Sequence, residues 1–331
     1  MSTAGDRVPP SLPQAPGVET ARGSRWRDWL VALAAAALFL GVGALGAYRY
    51  LNGFWLYRGY PPPREPAFVR EQGREEVIAV RSAALGGRSQ EVVVYLPPGY
   101  DANPLRRYPV MYLLHGFPGQ PRAFLLTVRM GVWVDTLYAE HRLSGVILVM
   151  PFGSTGTFTD KEWANGVHRG EGWETFVARD VVGAVDARYR TIRSGAGRAI
   201  AGLSEGGYGA LNIAFHHPGE FSVIESWSGY MLADRSPAIF GRKEATFTYN
   251  SPLDYLPRVA AALRREHVLI WFYTGKTDPL RSQNAAFAAE LERYRVDHRF
   301  FVDAGGHTWH IWRANARAAL LAATTRLAHA R

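Results

Sequence analysis

The 331-residue chain contains no cysteine, so it forms no disulfide and performs no thiol chemistry. Lysine is scarce, with three residues against 35 arginines. The formal net charge of +9 is spread along the chain without a basic run, which argues against nucleic acid as a partner. No internal repeat is visible. No pair of histidines has the spacing of metal ligands. The adjacent pair, His216 and His217, points to different faces of a predicted helix. We therefore expect no metal site and no organic cofactor.

The chain divides by composition into four segments. Residues 1–27 are rich in proline, glycine and arginine without apolar periodicity, and we expect a disordered tail. Residues 28–48 contain a run without charges that is long enough to cross a bilayer, which takes about 20 residues. Residues 49–70 include three consecutive prolines and are predicted to form a stalk or linker. Residues 71–331 are expected to form one large domain.

The apolar segment is predicted to be a transmembrane signal anchor. Aromatic residues flank it as a membrane-interface belt would, at positions Trp26, Trp29, Tyr48, Tyr50, Trp55 and Tyr57. A cleaved signal peptide and a buried core helix are the alternatives, but the run exceeds a typical apolar signal region and no A-x-A site ends it. Arginine residues are almost equally frequent on both sides of the apolar segment, so the distribution of positive charge does not decide its orientation in the membrane. The short polar N-terminus and the large following domain favour a single-pass protein of the cell membrane with its domain outside the cytoplasm.

A glycine-rich turn at residues 202–207 has the pattern of a nucleophile elbow, Gly-Leu-Ser-Glu-Gly-Gly. It follows a short apolar run and precedes a predicted helix. This arrangement exposes the hydroxyl group of Ser204 at the end of a strand and at the N-terminus of a helix, where negative charge is favoured. The alternative is a glycine-rich turn with an incidental serine.

Two partners for this serine follow it in the chain. Asp278 and His307 each lie in a glycine-containing loop after a predicted strand. His307 is expected to accept the proton of Ser204, and Asp278 to fix the tautomer of the imidazole. His310 and Asp303 are the competing candidates. His310 would lie inside a helix, and Asp303 lies only four residues before the histidine.

Backbone N–H groups are expected to stabilise a developing oxyanion. The residue after the nucleophile, Glu205, supplies one of them. Phe117 is the candidate for the other, because an apolar strand runs into His-Gly and then into a turn at residues 117–119. A plain strand-to-loop turn is the alternative interpretation of this stretch.

The coarse pattern predicts an α/β fold with a mostly parallel central sheet flanked by helices and antiparallel strands at one edge. The loops 152–172 and 230–256 are expected to shape a pocket. Strands are predicted near 77–82, 90–96, 108–115, 146–150, 198–203, 221–227, 268–274 and 298–303. Helices are predicted near 123–141, 173–189, 206–216, 255–265, 281–295 and 308–328.

Several separated motifs resemble one family. They include Tyr-Leu-Pro-Pro-Gly-Tyr at 95–100, Leu-Leu-His-Gly at 113–116, the elbow, and Gly-Gly-His-Thr-Trp-His-Ile-Trp at 305–312. Over roughly residues 77–320 the chain is similar to the esterase D-like esterases of the α/β-hydrolase superfamily. Relatives in that family include feruloyl esterases, enterochelin esterases, S-formylglutathione hydrolases and the antigen 85 mycolyltransferases. The resemblance implies the α/β-hydrolase fold, here preceded by one transmembrane helix.

The resemblance also implies an activity, the hydrolysis of carboxylic esters through an acyl-enzyme. The substrate would be a small-molecule, lipid or glycan ester, and no obligate protein partner is evident. An acyltransferase of the mycolyltransferase type and a non-catalytic envelope binding protein are the alternatives. In the family the histidine directly after the Gly-Gly pair is catalytic, which supports His307. Relatives often have methionine where this chain has Glu205, whose carboxylate could face the pocket and raise the pKa of His307 or bond a neighbour.

Overall fold

The computed structural model describes residues 25–156 and 158–329, so most of the expected tail at 1–27 lies outside the described residues. The chain divides after Asn52 into two compact units. In the described part of the first, helix α1 (Arg25–Arg49) has no buried residue. Its 18-residue apolar window has a mean hydropathy of 2.3. At 1.5 Å per residue, a helix of this length reaches roughly 37 Å, which is enough to cross the apolar part of a bilayer. A π-helical stretch, Tyr50–Trp55, follows α1.

The second unit is built on an eight-stranded sheet with the order β1-β2-β4-β3-β5-β6-β7-β8. In this order, the strands from β4 to β8 run parallel to one another. Strand β2 pairs antiparallel with β4 on one side and with β1 on the other, where Val77 lies opposite Val93. The strands are β1 (Arg74–Arg81), β2 (Ser89–Leu96), β3 (Val110–Leu114), β4 (Ile147–Pro151), β5 (Arg198–Leu203), β6 (Val223–Trp227), β7 (Leu269–Gly275) and β8 (His298–Asp303). The predicted mostly parallel sheet with an antiparallel edge is confirmed.

Helices cover both faces of the sheet. They are α2 (Ala123–Leu126), α3 (Met130–Ala139), α4 (Trp173–Thr175), α5 (Val182–Arg188), α6 (Glu205–His216), α7 (Pro237–Phe240), α8 (Glu244–Tyr249), α9 (Pro252–Arg265), α10 (Arg281–Arg293) and α11 (Trp309–Arg326). A π-helical turn, Phe176–Val181, joins α4 to α5, and a short 3-10 turn, Gly195–Gly197, precedes β5.

The central strands read as continuous apolar runs because each is buried on both faces. One face packs against α5, α6, α9 and α10, with Phe176, Leu211 and Phe287 in the core. The other face packs against α2, α3 and α11, with Phe124 and Leu320 in the core. This three-layer arrangement brings the carboxyl ends of the parallel strands to one edge, where α/β folds place their sites.

The helix predicted over residues 123–141 is divided, and the prediction of one continuous helix was wrong. Arg129 takes a left-handed conformation with a φ of 67°, which separates α2 from α3. The side chain of Arg313 donates to the carbonyl oxygen of Thr127, and the Thr127 hydroxyl donates to the carbonyl oxygen of Leu56. These tertiary hydrogen bonds hold the chain where the helix is interrupted, and the local pattern gives no sign of them.

The segment expected to be a stalk also differs from its prediction. Residues from Gly53 onward belong to the same compact unit as the sheet. Arg129 donates to the carbonyl oxygen of Arg64 at 3.4 Å, and Val69 is buried. Together with the contact between Thr127 and Leu56, these interactions attach the segment to the region around α2 and α3. A free linker would make no such contacts.

Candidate active site

Ser204 lies in the turn between β5 and α6, as the elbow pattern predicts. Its backbone has φ 55° and ψ −121°, a region that residues with side chains rarely occupy. The N–H of Ser204 donates to the carbonyl oxygen of Trp227 on the adjacent strand at 2.9 Å. The strained turn is therefore fixed by the sheet, and the hydroxyl group stands at the N-terminus of α6.

Glycines allow this turn to form because their neighbours leave no room for side chains. A Cβ at Gly202 would lie 2.2 Å from the carbonyl oxygen of Gly206. A Cβ at Gly206 would lie 1.9 Å from the carbonyl oxygen of Leu114 on β3. Both distances are far below van der Waals contact, so the two glycines are required by packing against backbone.

The fold brings together the three side chains that the sequence singled out. The Ser204 Oγ lies 2.8 Å from His307 Nε2, across 103 positions of sequence. The His307 Nδ1 lies 3.0 Å from Asp278 Oδ2. With Nδ1–H donating to the carboxylate, the Nε2 lone pair faces the serine hydroxyl, which is the arrangement needed to accept its proton.

Asp278 is buried and held from two sides. The N–H of Leu280 donates to its Oδ1 at 2.9 Å, while His307 occupies Oδ2. Burial by itself would raise the pKa of Asp278, but the hydrogen bonds from His307 and Leu280 outweigh it and lower that pKa below its ordinary value. The group is therefore a carboxylate at neutral pH and can stabilise an imidazolium on His307.

The two competing candidates lie elsewhere. The carboxylate of Asp303 accepts hydrogen bonds from Asn315 at 2.7 Å and from the N–H of Ala304 at 2.7 Å. His310 is exposed in the first turn of α11. The geometry therefore separates both from the group formed by Ser204, His307 and Asp278.

The loop after β3 carries Phe117 into the same cavity as Ser204. Among the described residues, the N–H groups of Phe117 and Glu205 donate to no protein acceptor. They are the two groups that we expect to bind an oxyanion.

His115 fixes the orientation of this loop. Its Nε2 accepts a hydrogen bond from the N–H of Gly153 at 3.2 Å, which leaves Nδ1–H to donate to the carbonyl oxygen of Gly116 at 2.9 Å. Burial lowers the pKa of His115 to about 4, against the opposing effect of the bond to Gly116, so the ring is neutral. In a trans peptide the C=O and N–H point in opposite directions. Holding the oxygen of Gly116 therefore turns the N–H of Phe117 to the other side.

The carboxyl group of Glu205 is buried beside Asp160 and Glu162. Burial, followed by the charges of Asp160 and Glu162, raises its pKa well above the ordinary value. Of the two roles left open for this side chain, the structure favours an interaction with neighbours, because Glu205 does not line the cavity beside Ser204.

A cavity of about 150 Å³ opens beside Ser204. Its walls include three tryptophans and Phe117, and some of the lining residues were not assigned to the site from the sequence. The lining residues are Trp55, Arg58, Gly116, Phe117, Pro118, Leu203, Ser204, His307, Trp309 and Trp312. The sequence favours a membrane-interface role for Trp55, and nothing near it in the sequence indicates this cavity. Trp309 and Trp312 lie in the motif at 305–312 and were detectable from it.

The loops 152–172 and 230–256, which were expected to shape this pocket, line a different cavity. Lys161, His168 and Glu171 from the first loop meet Ala238 and Ile239 from the second. Phe240 and Phe247 pack with Tyr208 of α6 beneath them. Within the described residues, no group of three histidines or acidic side chains is placed to hold a metal ion.

The fold is that of an α/β hydrolase. The chain belongs to the "Putative esterase" family, whose model matches residues 82–323. The family predicted from the separated motifs is thereby confirmed. The chain is 26% identical over 237 residues to an uncharacterized protein of Corynebacterium glutamicum, a match that covers 69% of this chain and 55% of that protein.

Two named esterases are also similar. An endo-1,4-beta-xylanase/feruloyl esterase of Xylanibacter ruminicola is 31% identical over 146 residues, which are 43% of this chain and 20% of that protein. The solved structure of a ferulic acid esterase superimposes with a TM-score of 0.68 and 26% identity, covering 77% of this chain and all of that one. These matches span 55% and 20% of the lengths of the two curated relatives, whereas the chain covers the whole of this solved structure.

Proposed function

We propose that the protein is a membrane-anchored serine esterase, acting outside the cytoplasm, that hydrolyses carboxylic esters. The observation that carries the proposal is the contact chain from Ser204 through His307 to Asp278, with distances of 2.8 and 3.0 Å, in a member of an esterase family. The relatives named as feruloyl and ferulic acid esterases support an ester of a carboxylic acid as the substrate class.

In the proposed mechanism, Ser204 Oγ attacks the ester carbonyl carbon while His307 Nε2 takes its proton. The carbonyl π electrons move to the oxygen, which accepts hydrogen bonds from the N–H groups of Phe117 and Glu205. The tetrahedral intermediate collapses, and His307 gives its proton to the departing alcohol. Water then attacks the acyl-enzyme by the same route and releases the acid, with Asp278 stabilising the imidazolium in both halves.

The anchoring part of the proposal rests on α1. Its apolar stretch is long enough to cross a bilayer. None of its residues is buried, whereas the core helix of a soluble protein would be mostly buried. We propose that residues 28–48 span the membrane with the tail 1–27 on the cytoplasmic side. A signal peptide has similar composition. N-terminal sequencing of the mature protein from washed membranes separates the two, because cleavage after the helix would remove the anchor.

Three variants test the catalytic part. Ser204→Ala should abolish hydrolysis of p-nitrophenyl butyrate and labelling by a fluorophosphonate. Asp278→Asn should lower kcat by a factor on the order of 10³–10⁴, since the amide no longer fixes the imidazole tautomer. Asp303→Asn is the matched control, because this carboxylate lies outside the site, and should stay within about threefold of the natural chain.

The same assays separate the alternatives. Turnover only in the presence of an alcohol acceptor would indicate an acyltransferase. Absence of both turnover and labelling in the natural chain would contradict the catalytic proposal and favour a binding protein.

A further inference from the structure

Trp163 is a fully buried side chain on the loop between β4 and α4. Connecting loops lie mostly at the protein surface, so a large side chain that a loop places in the interior must be held there by specific contacts. The contacts of Trp163 are with the segments that carry the two expected oxyanion donors, Phe117 and Glu205. This loop does not line the cavity beside Ser204, but it packs against the elements that form the site.

The indole ring of Trp163 holds the segment that precedes Phe117. Its Nε1–H donates to the carbonyl oxygen of His115 at 2.9 Å. The ring also packs edge-on against the imidazole of His115, with ring centroids 4.9 Å apart. That imidazole in turn donates to the carbonyl oxygen of Gly116. The peptide groups on both sides of Gly116 are therefore fixed, and the second of them carries the N–H of Phe117.

The same indole ring packs tightly between two backbone segments. A Cβ at Gly209 of α6 would lie 2.5 Å from the Cβ of Trp163. A Cβ at Gly153, which follows β4, would lie 2.3 Å from Cη2 of the ring. Both distances are far below van der Waals contact, so the side chain of Trp163 fills this space completely. Because α6 begins at Glu205, this packing joins the helix of one expected donor to the loop of the other.

The backbone at Trp163 is strained, which indicates that the surrounding structure imposes the position of the indole ring. Glu162 and Trp163 both have left-handed conformations, with φ of 56° and 48°. Such strain persists only where neighbouring groups hold it, and it is common at functional sites. Here the N–H of Glu162 donates to Oδ1 of Asp160 at 3.0 Å, and the hydroxyl group of Tyr230 donates to the carboxyl group of Glu162.

We propose that Trp163 is a positioning residue of the oxyanion hole, which fixes the N–H group of Phe117 relative to that of Glu205. This role rests on the proposed esterase function, because the oxyanion forms only when Ser204 attacks an ester. Trp163 acts through His115 and α6 rather than on the substrate. It therefore stabilises the transition state and contributes little to binding of the ester in its ground state.

Trp163→Phe tests this role, since phenylalanine keeps an aromatic side chain but has no N–H group for the carbonyl oxygen of His115. We expect kcat for p-nitrophenyl butyrate to fall about 10–100-fold, because misplacing an oxyanion donor loses part of its effect on the rate. KM should change less than about threefold. The acid limb of the pH profile of kcat/KM should stay in place, because His307 and Asp278 are unchanged.

Trp173→Phe is the matched control. Trp173 is also buried, at the end of the same loop, and its Nε1–H donates to Oε2 of Glu171 at 2.8 Å. The substitution removes the same hydrogen-bonding group from a buried ring whose partner is a carboxylate of the loop instead of His115. Its kcat should stay within about threefold of that of the natural chain.

A second variant displaces Trp163 without changing it. In Gly209→Ala the added methyl group competes for space with the Cβ of Trp163, while alanine favours the helix in which it lies. We expect kcat to fall in this variant too, again with little change in KM and none in the acid limb. Thermal unfolding and complete labelling of Ser204 by a fluorophosphonate at long times show that each variant is folded.

A natural kcat in both variants, or an equal fall in Trp173→Phe, would overturn the assignment. A fall in kcat together with a shift of the acid limb would also overturn it, because the effect would then lie at His307. In each of these cases the natural chain still hydrolyses the ester, so the esterase proposal survives. Absence of both turnover and labelling in the natural chain would instead be a failure of the esterase proposal itself.

Discussion

The carboxyl group of Glu162 is buried on the loop between β4 and α4, where the hydroxyl group of Tyr230 donates to its Oε2. Burial raises the pKa of Glu162 to about 8, and the nearby charge of Asp160 adds to the effect, while the bond from Tyr230 opposes it. Asp234 and Glu205 also face this group. The folded chain therefore holds Glu162 protonated at neutral pH.

This group makes stability depend on pH with a defined sign. The unfolded chain releases the proton near the ordinary value of 4.5 and the folded chain near 8, so the folded state binds more protons between these values. The contribution of Glu162 to the free energy of unfolding is complete below about pH 4.5. It falls by about 1 kcal/mol per pH unit as the pH rises to 8.

Glu162→Gln should remove this part of the slope, since an amide keeps an acceptor for Tyr230 without titrating. Urea unfolding at pH 5 and pH 8.5 measures the effect, and the variant should gain stability relative to the natural chain at the higher pH. Glu292→Gln, at an exposed position of α10, is the control and should leave the slope unchanged. A variant with the natural slope would show that Glu162 does not titrate in this interval.

Single residues of the site were predictable where a motif and its neighbours fix them. Ser204 and His307 sit beside glycines in strand-to-loop turns, and Asp278 follows a strand in the same way. Arg58 and Trp55 carry no such local sign. Their place in the cavity depends on tertiary contacts with Trp309 and Pro118, which are far away in sequence.

At the scale of elements, the loop after β3 depends on Gly119. A Cβ there would lie 2.1 Å from the carbonyl oxygen of Gly116 and 2.9 Å from His115 Nδ1. It would therefore displace the hydrogen bond that orients the N–H of Phe117. Because removal of one oxyanion donor costs on the order of 10²–10³ in rate, we expect Gly119→Ala to lower kcat by a comparable factor.

The rate of p-nitrophenyl butyrate hydrolysis measures this effect. Gly183→Ala is the matched control, since Gly183 lies in α5 with no heavy atom near the added carbon, and alanine favours helix. Its kcat should equal that of the natural chain. If Gly119→Ala did the same, the loop would not position an oxyanion donor.

Strands were predicted more closely than helices and loops. All eight begin and end within about three residues of their predicted bounds. The clearest cases are buried parallel strands such as β3 and β4, whose unbroken apolar runs are bounded by glycine or proline. The break between α2 and α3 and the short helices α7 and α8 were not foreseen. They are stabilised by contacts between distant parts of the chain, such as the hydrogen bond from Arg313 to Thr127.

At the scale of the whole molecule, the position where the enzyme unit begins is a testable feature. A chain beginning at Gly53 keeps the contacts of Leu56, Arg64 and Val69, whereas a chain beginning at Glu71 loses all of them. We expect the longer chain to match the full protein in kcat/KM for a neutral ester. The shorter chain should have a lower Tm, since burial of Val69 alone contributes about 2 kcal/mol.

Thermal unfolding and neutral-ester kinetics on both truncated chains check this expectation. Equal Tm and equal activity would mean that residues 53–70 act as a stalk after all. The sequence favoured the stalk because proline and exposed aromatic residues are typical of linkers and membrane interfaces. Packing of the same residues on the domain leaves no separate pattern in the sequence.

Trp55 and Arg58 lie close to the end of α1 in the chain. Proteolytic release of the domain would therefore give two distinct products, depending on where the chain is cut. Helix α1 ends at Arg49, only six residues before Trp55. If residues 28–48 anchor the chain as proposed, a cut within those six residues would release a domain whose cavity keeps every wall. A cut after Arg58 would release a domain that lacks Trp55 and Arg58, and with them one wall of the cavity. Proteases that cut at these two places would then release two forms of the domain with different walls around the cavity beside Ser204.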